Sequence, residues 1–166
     1  RDLWEFDRAW PLIKKLGVRR VRLQSGWQKT EQVKGVYDFE WLDHIVDTLA
    51  EAGIKPFLCL CYGNKIYCDD PKKYPSIENG GVGHFPIKTP EEREGWIRYV
   101  DALTKHFADR IQDYEIMNEV DLSVFAKVDV PWADAYMELV KMTAPIIRKN
   151  VANSVIISFI LPTSFW

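Results

Sequence analysis

Apolar residues recur along this chain with two different periods, which alternate from one segment to the next. A helical period predicts amphipathic helices, and short runs that are apolar at nearly every position predict strands. Helices are predicted over residues 5–16 and after Asp38, Thr89 and Pro131. Strands are predicted over residues 18–24, 54–62, 111–117 and 155–161. The predicted order is therefore α, β, α, β, α, β, α, β.

Residues that favour the ends of helices mark the boundaries of these segments. Thr89 can cap a helix whose first turn contains Pro90, and Glu92 completes a capping box. Gly17 and Gly53 follow two of the predicted helices, where a residue with positive φ is often needed. These two glycines are separated by about one βα unit.

Strands that are apolar on both faces and alternate with helices indicate an α/β fold, a parallel sheet covered by helices. Two architectures satisfy this pattern: a (β/α) barrel and a doubly wound sheet. Nucleotide-binding doubly wound sheets carry a glycine-rich turn between a strand and the next helix. The glycine-rich run at 80–83 lies in the middle of a long loop, which disfavours that version. A chain of 166 residues is expected to form one domain.

Composition and charge exclude several classes of partner. The net charge is −2 and no run of lysine and arginine exceeds two residues, which argues against nucleic acid. No apolar stretch approaches the roughly 18–20 residues of a membrane span, so no membrane partner is expected. Cys59 and Cys61 share one face of a predicted strand and are interpreted as small buried hydrophobes. No histidine or cysteine set has metal-ligand spacing, so no metal or other cofactor is expected.

The candidate chemistry lies at Asn118 and Glu119, at the end of the predicted strand 111–117. A carboxylate that follows a buried strand can be partly desolvated and still reach a ligand. Those properties suit a general acid. The alternative is an ordinary loop carboxylate that caps the next helix.

Strand alternation sorts the charged residues by face. Arg20 and Arg22 share one face of the first predicted strand, and Glu115 shares a face with Met117 and Glu119. A buried arginine and a buried glutamate are each costly unless they are paired. We therefore predict that Arg20 or Arg22 contacts Glu115 inside a barrel. Alternatively, these residues lie on the solvated edge of an incomplete sheet.

The loop at 63–88 is long, and loops of this length are usually functional or disordered. It follows a strand, so it lies on the face where barrel enzymes keep their sites. The loop contains the ring side chains of Tyr67, Tyr74, His84 and Phe85. These rings suit stacking on sugars, and they suit a self-packed loop equally well.

Four segments resemble, in the same order, motifs of the clan A glycoside hydrolases. They are residues 17–23 (GVRRVRL), 35–43 (GVYDFEWLD), 53–57 (GIKPF) and 114–121 (YEIMNEVD). These enzymes are (β/α)8 barrels that cleave β-linked sugars with retention. The chain most resembles family 39, the β-xylosidase-like group, while the cellulase-like family 5 and the β-galactosidase-like family 42 are near. The resemblance implies a partial (β/α)8 TIM barrel of about four βα units, equivalent to barrel strands two to five.

The resemblance also implies roles for single residues. Glu119 matches the general acid/base at the end of the fourth barrel strand, and Asn118 matches the asparagine that binds the sugar 2-hydroxyl. Arg22 matches the second-strand arginine that supports the nucleophile. Trp27 either lines the sugar site or plugs the mouth of the barrel. The candidate substrate-binding residues are completed by Tyr62, Asn64 and His84.

Residues 1–166 are therefore expected to be an incomplete catalytic domain. A retaining enzyme needs a second carboxylate as nucleophile, and in this clan it lies at the end of strand seven. No strand-end carboxylate follows Glu119, so the nucleophile is expected outside this chain. The family's acid/base is often followed by proline, where this chain has Val120. The expected partner is a β-linked oligosaccharide or polysaccharide.

A second hypothesis is a non-catalytic carbohydrate-binding or assembly module built from half a barrel. The open edges of a parallel sheet are prone to association. Self-association through the first and last strands is therefore a further hypothesis. A different α/β enzyme with an unrelated substrate is disfavoured by the four ordered motifs.

Overall fold

The computed structural model describes residues 5–69, 85–120 and 130–158. Its helices and strands alternate along the chain, as the sequence predicts. In chain order they are α1 (Phe6–Lys15), β1 (Arg20–Gln24), α2 (Trp27–Thr30), α3 (Glu40–Glu51), β2 (Lys55–Leu60), a 3-10 turn (Lys65–Tyr67), α4 (Pro90–His106), β3 (Asp113–Ile116), α5 (Trp132–Asn150) and β4 (Val155–Ile157).

The four strands form one parallel sheet, whose spatial order β1-β2-β3-β4 is also the order of the chain. In a doubly wound sheet the order of strands reverses at a switch point. In a barrel each strand lies beside its successor. The choice left open by the sequence pattern is therefore decided in favour of a barrel-type progression.

Register divides the side chains of the sheet between two faces. Leu58 pairs with Tyr114, and both are fully buried. They lie on the face covered by helices, since α3 contacts β2 and α5 contacts β3. Cys59 pairs with Glu115 on the opposite face, because successive side chains of a strand alternate. The face that carries Glu115 is the one that lines the inside of a barrel.

The helices and the sheet enclose a core rich in aromatic residues, whose polar atoms are bonded to neighbouring elements. The indole of Trp96 donates to the hydroxyl of Thr143 at 2.8 Å, which joins α4 to α5. The hydroxyl of Tyr99 donates to the carbonyl of Ser25 at 3.0 Å, which joins α4 to the end of β1. These bonds let large amphipathic rings be buried without leaving a donor unsatisfied.

The predicted helix ends are confirmed. The hydroxyl of Thr89 accepts a hydrogen bond from the backbone N–H of Glu92, whose carboxylate accepts one in return from the backbone of Thr89. Gly17 and Gly53 have φ values of +63° and +72°, as expected for residues that end a helix.

The ladders of β1, β2 and β3 are shorter than the predicted strands. The apolar pattern continues past the paired residues because Ile54, Cys61 and Ile111 are buried without belonging to a strand. The predicted end of the last strand, 159–161, lies outside the described residues. Helix α2 was not predicted, because four residues are too few to show a helical period.

The edges of the sheet are open in the described part of the chain. There, β1 pairs only with β2, and β4 pairs only with β3. The association that was predicted through these edges stays a prediction. Within the same described ranges, no helix is both long and apolar enough to cross a membrane.

Replacing Leu58 with alanine is expected to lower the free energy of unfolding by about 2–5 kcal/mol, because a fully buried leucine leaves a cavity. The matched control is Leu12→Ala on α1, where the side chain is 64% exposed. Its expected effect is below about 0.5 kcal/mol. Urea titration followed by circular dichroism measures both variants. Equal losses would contradict the placement of Leu58 in the core.

Candidate active site

An ion pair between the partly exposed Arg22 and the buried Glu115 lies at the centre of the candidate site. The Nε of Arg22 donates to the Oε2 of Glu115, and the side chain of Glu115 is only 5% exposed. The two residues belong to β1 and β3, so the arginine reaches across β2. The predicted contact is therefore confirmed for Arg22. Arg20 instead pairs with Asp113, and these two residues lie two positions before Arg22 and Glu115 on the same strands.

The charge of Arg22 is stabilised by this pairing. Burial alone would lower the pKa of the guanidinium, but the hydrogen bond to Glu115 and its negative charge outweigh burial and raise that pKa above its ordinary value. Arg22 therefore remains a cation. A buried carboxylate without such a partner would be strongly destabilising.

Arg22 also fixes the side chain of Asn118. One Nη of Arg22 donates to the Oδ1 of Asn118 at 2.8 Å. The Nδ2 of Asn118 donates in turn to the hydroxyl of Tyr62. Because one partner is a donor and the other an acceptor, they set the orientation of the amide. Three side chains from the ends of β1, β2 and β3 thus meet at one point.

The backbone leaves the strand geometry at this point. Strand β3 ends at Ile116, and Met117 and Glu119 have positive φ values of +63° and +50°. The prediction that Glu115, Met117 and Glu119 share a face assumed a regular strand, whereas the strand ends before Met117. Left-handed residues break the alternation of the pleat. They cost about 1–3 kcal/mol each and are concentrated at functional sites.

Glu119 directly follows Asn118 in the chain. Burial raises the pKa of the Tyr62 phenol above its ordinary range. Tyr62 is only 7% exposed, whereas Glu119 is exposed to solvent. An accessible carboxylate therefore stands next to an amide whose orientation is fixed.

Cys59 and Cys61 lie beneath the ion pair and are buried, as predicted. A hydrogen bond to Cys61 and burial raise the pKa of the Cys59 thiol well above its ordinary value. Cys59 therefore acts as a small uncharged group, and both residues belong to the buried core.

The structure places Trp27 in the core. Its indole is completely buried between the rings of Tyr67 and Tyr99, with centroids 5.3 and 5.5 Å away. The indole nitrogen donates to the carboxylate of Glu31 at 2.6 Å. A ring with no exposed surface cannot stack on a sugar, so we assign Trp27 to packing and not to the lining of the site.

Asn64 is likewise engaged within the protein and is only 4% exposed. Its Nδ2 donates to the carbonyl of Glu31 at 2.7 Å, and its Oδ1 accepts from the backbone of Ile66 at 3.2 Å. It caps the 3-10 turn and ties the loop after β2 to the loop after β1. Tyr67 and Phe85 are buried, which favours the self-packed interpretation for these two rings. His84 and Tyr74 lie outside the described residues.

The sequence reasoning missed Glu31, a fully buried carboxylate. It accepts hydrogen bonds from the indole of Trp27, the hydroxyl of Tyr67 at 2.6 Å and the backbone N–H of Gly35 at 2.7 Å. We call these four residues the Glu31 cluster. The available signal was the spacing of four residues between Trp27 and Glu31, which lets side chains meet within a helical turn.

Of the predicted site residues, the structure joins Arg22, Tyr62 and Asn118 by hydrogen bonds, and Glu119 directly follows Asn118 in the chain. It places Trp27 and Asn64 in the packing behind them. The assembled group offers an exposed carboxylate, an oriented amide and a cation. An exposed carboxylate can transfer a proton, and the polar groups beside it can bind hydroxyls.

Comparison with known proteins shows which enzymes this chain resembles. The sequence model of the glycoside hydrolase family 42 β-galactosidases matches residues 2–65. The β-galactosidase BgaA of Clostridium cellulovorans is 30% identical over 133 residues, which cover 73% of this chain and 20% of BgaA. A family 39 glycoside hydrolase from Bacteroides cellulosilyticus superposes with a TM-score of 0.67 at 25% identity, over 93% of this chain and 28% of the other. The chain belongs to the clan A glycoside hydrolases.

A further solved structure supports the fold of this clan A glycoside hydrolase. A family 1 β-glucosidase from Thermotoga maritima superposes with a TM-score of 0.71 at 18% identity, over 96% of this chain and 39% of the other. The four parallel strands and their helices are part of a (β/α)8 barrel. The chain spans about a fifth of the length of the curated relatives that it matches. The matching sequence model is that of family 42, one of the two families that the motifs placed near family 39.

A double-mutant cycle of Arg22→Met and Glu115→Gln is expected to give a coupling energy of about 1–3 kcal/mol, because the carboxylate is almost fully buried. The matched control is the cycle of Arg20→Met and Asp113→Asn on the same strands. Those side chains are 56% and 18% exposed, so the expected coupling is below about 1 kcal/mol. Guanidinium unfolding measures both cycles. Similar values would contradict the central position of the Arg22 pair.

The Glu31 cluster predicts a dependence of stability on pH. Burial and the hydrogen bond to Glu31 raise the pKa of Tyr67 to about 12, above its ordinary value of about 10. A raised pKa means that the protonated phenol stabilises the fold fully below about pH 10, and that this contribution is lost towards about pH 12.

The free energy of unfolding of the wild type should therefore exceed that of Tyr67→Phe by a constant amount up to about pH 10. The difference should then shrink between about pH 10 and 12. Urea titrations at a series of pH values measure it. A difference that stays constant to pH ~12 would show that the Tyr67 phenol is not tied to the cluster.

Proposed function

We propose that this chain carries the general acid/base of a retaining β-galactosidase, with Glu119 in that role, and that the nucleophile is supplied from outside residues 1–166. Residues 1–166 are then an incomplete catalytic domain. The match to family 42 and the similarity to BgaA support a β-galactoside as the substrate. The proposal rests mainly on one observation: the amide of Asn118, directly before Glu119, is held between Arg22 and Tyr62.

An amide held in this way supports recognition of a sugar hydroxyl. The nitrogen of an asparagine side chain has two N–H donors, and Tyr62 accepts from one of them. The second N–H can therefore meet a hydroxyl oxygen beside Glu119. Because both partners fix the amide before a ligand arrives, binding does not have to pay for ordering that side chain.

The position of Glu119 supports the acid/base role. The residue is exposed at the end of β3, so its proton can reach the leaving oxygen of a bound glycoside. In a retaining mechanism the same group first protonates the leaving oxygen and then activates water. The adjacent Asn118 would hold the sugar ring in one position during both steps.

The described carboxylates leave the nucleophile unassigned within this chain. A retaining enzyme needs one about 5–5.5 Å from its acid/base. Glu115 is buried and bonded to Arg22, so we interpret it as the partner of that cation. Asp134 and Glu138 lie on α5, on the helix-covered side of the sheet. Two further acids lie outside the described residues, namely Asp121 and Asp129.

The purified chain is expected to release no nitrophenol from aryl β-galactoside, β-glucoside or β-xyloside, because one carboxylate cannot complete a double displacement. It is expected to bind a protonated iminosugar of galacto configuration, whose cation is attracted by Glu119. Glu119→Gln should weaken this binding by about tenfold. The matched control is Glu51→Gln, an exposed residue that ends α3 just before β2 begins. Isothermal titration calorimetry measures the affinities.

Two results would change the proposal. Turnover that survives purification and disappears in Glu119→Gln would place the nucleophile within residues 1–166 while keeping the role of Glu119. Equal affinity for the iminosugar in the wild type and in both variants would overturn the role of Glu119.

A further inference from the structure

A small polar cleft lies between α2 and the 3-10 turn that follows β2. Its volume is about 240 Å³. Sites for drug-sized ligands measure roughly 300–1,000 Å³, so this cleft suits a single ring. The cleft is lined by Gln28, Glu31, Gln32, Asn64, Lys65 and Ile66. These residues follow β1 and β2, so the cleft lies at the same end of the sheet as the candidate active site.

The lining matches a ligand with several hydroxyl groups. Gln28 and Gln32 contribute amides, which can donate and accept hydrogen bonds at one position, whereas both ends of the Asn64 amide are bonded within the protein. A sugar hydroxyl also donates and accepts, so the two sets of groups are complementary. Ile66 adds an apolar contact of the kind that meets the C–H face of a sugar ring.

One group in this lining is unsatisfied. The side-chain oxygen of Gln28 is buried and has no hydrogen-bond partner among the described residues. An unpaired buried acceptor is costly, and a rotation of the Gln28 side chain that lets a ligand hydroxyl donate to this oxygen would remove that cost. Glu31 and Asn64, by contrast, are already bonded within the protein. Gln28 is therefore the residue on which recognition in this cleft depends.

The charge of the cleft favours a neutral ligand. The carboxylate of Glu31 is fully buried in its wall and accepts hydrogen bonds from Trp27 and Tyr67. Lys65 lines the same cleft, so the wall contains one acidic and one basic residue and offers no net attraction to a phosphate or a carboxylated sugar.

The cleft is joined to the candidate active site by one short segment. Tyr62 and Asn64 both lie between β2 and the 3-10 turn. Tyr62 accepts a hydrogen bond from Asn118, and Asn64 lines the cleft. We propose that the cleft binds a second, neutral sugar unit of a β-linked substrate whose first unit lies beside Asn118. This inference rests on the proposed function.

The test uses the whole chain and two probes, methyl β-galactoside and a β-linked galactobiose. In ¹⁵N NMR spectra, galactobiose is expected to shift the side-chain amide signals of Gln28, Gln32, Asn64 and Asn118. Methyl β-galactoside is expected to shift the signal of Asn118. Gln28→Leu should weaken galactobiose binding by about tenfold and leave methyl β-galactoside binding unchanged. The matched control is Gln112→Leu, an exposed residue just before β3, which should change neither affinity.

The outcomes separate this inference from the proposed function. If galactobiose shifts Asn118 and leaves Gln28 unmoved, the cleft holds only solvent and the proposed function stands. If it shifts Gln28 and leaves Asn118 unmoved, the cleft binds sugar and the role of Asn118 fails. If neither signal moves, both proposals fail. Should Gln28→Leu unfold, as judged by circular dichroism, Gln28→Asn shortens the side chain and keeps the amide, and unchanged galactobiose affinity in that variant would overturn the inference.

Discussion

The need to neutralise one buried carboxylate organises the candidate site. Glu115 lies on the inner face of β3, and only a cation on the same face can offset the cost of its burial. Arg22 provides that cation from β1, and its length lets it pass over β2. The same guanidinium reaches Asn118. The ion pair that stabilises the sheet therefore also sets the position of the residue beside Glu119.

A second buried carboxylate, that of Glu31, links two loops, as the carboxylate of Glu115 links two strands. Glu31 accepts from Trp27 after β1 and from Tyr67 after β2, so the two loops are held together. The ring of Tyr67 is also fitted against α4 at Gly95, where a Cβ would come within 2.7 Å of it. This fixes the segment that carries Tyr62, and Tyr62 is the second partner of Asn118. Asn118 is thus positioned from both sides by two buried carboxylates and their partners.

The sequence predicted the parts of this arrangement that depend on local periodicity and on simple charge balance. The order of helices and strands and the capping box at Thr89 followed from patterns within single segments. Charge balance predicted that Arg20 or Arg22 contacts Glu115, and the structure selects Arg22. The packing of Trp27 could not be predicted, because its position depends on rings from α4 and from the 3-10 turn. Glu31 was missed for the same reason. Its partner Tyr67 is distant in sequence, and its partner Gly35 bonds through the backbone N–H.

The turn after β3 shows that the alternation of side chains along a strand does not by itself place the candidate site residues. Strict alternation would turn Glu115 inward and Asn118 towards the helices, where Asn118 could not meet Arg22. The left-handed conformation of Met117 breaks the alternation, and Asn118 reaches the guanidinium. The backbone strain of this turn is about 1–3 kcal/mol, comparable to the charge-assisted hydrogen bond that it makes possible. A pleated strand alone cannot present an amide and a carboxylate side by side, and the turn after Ile116 is the local solution to that constraint.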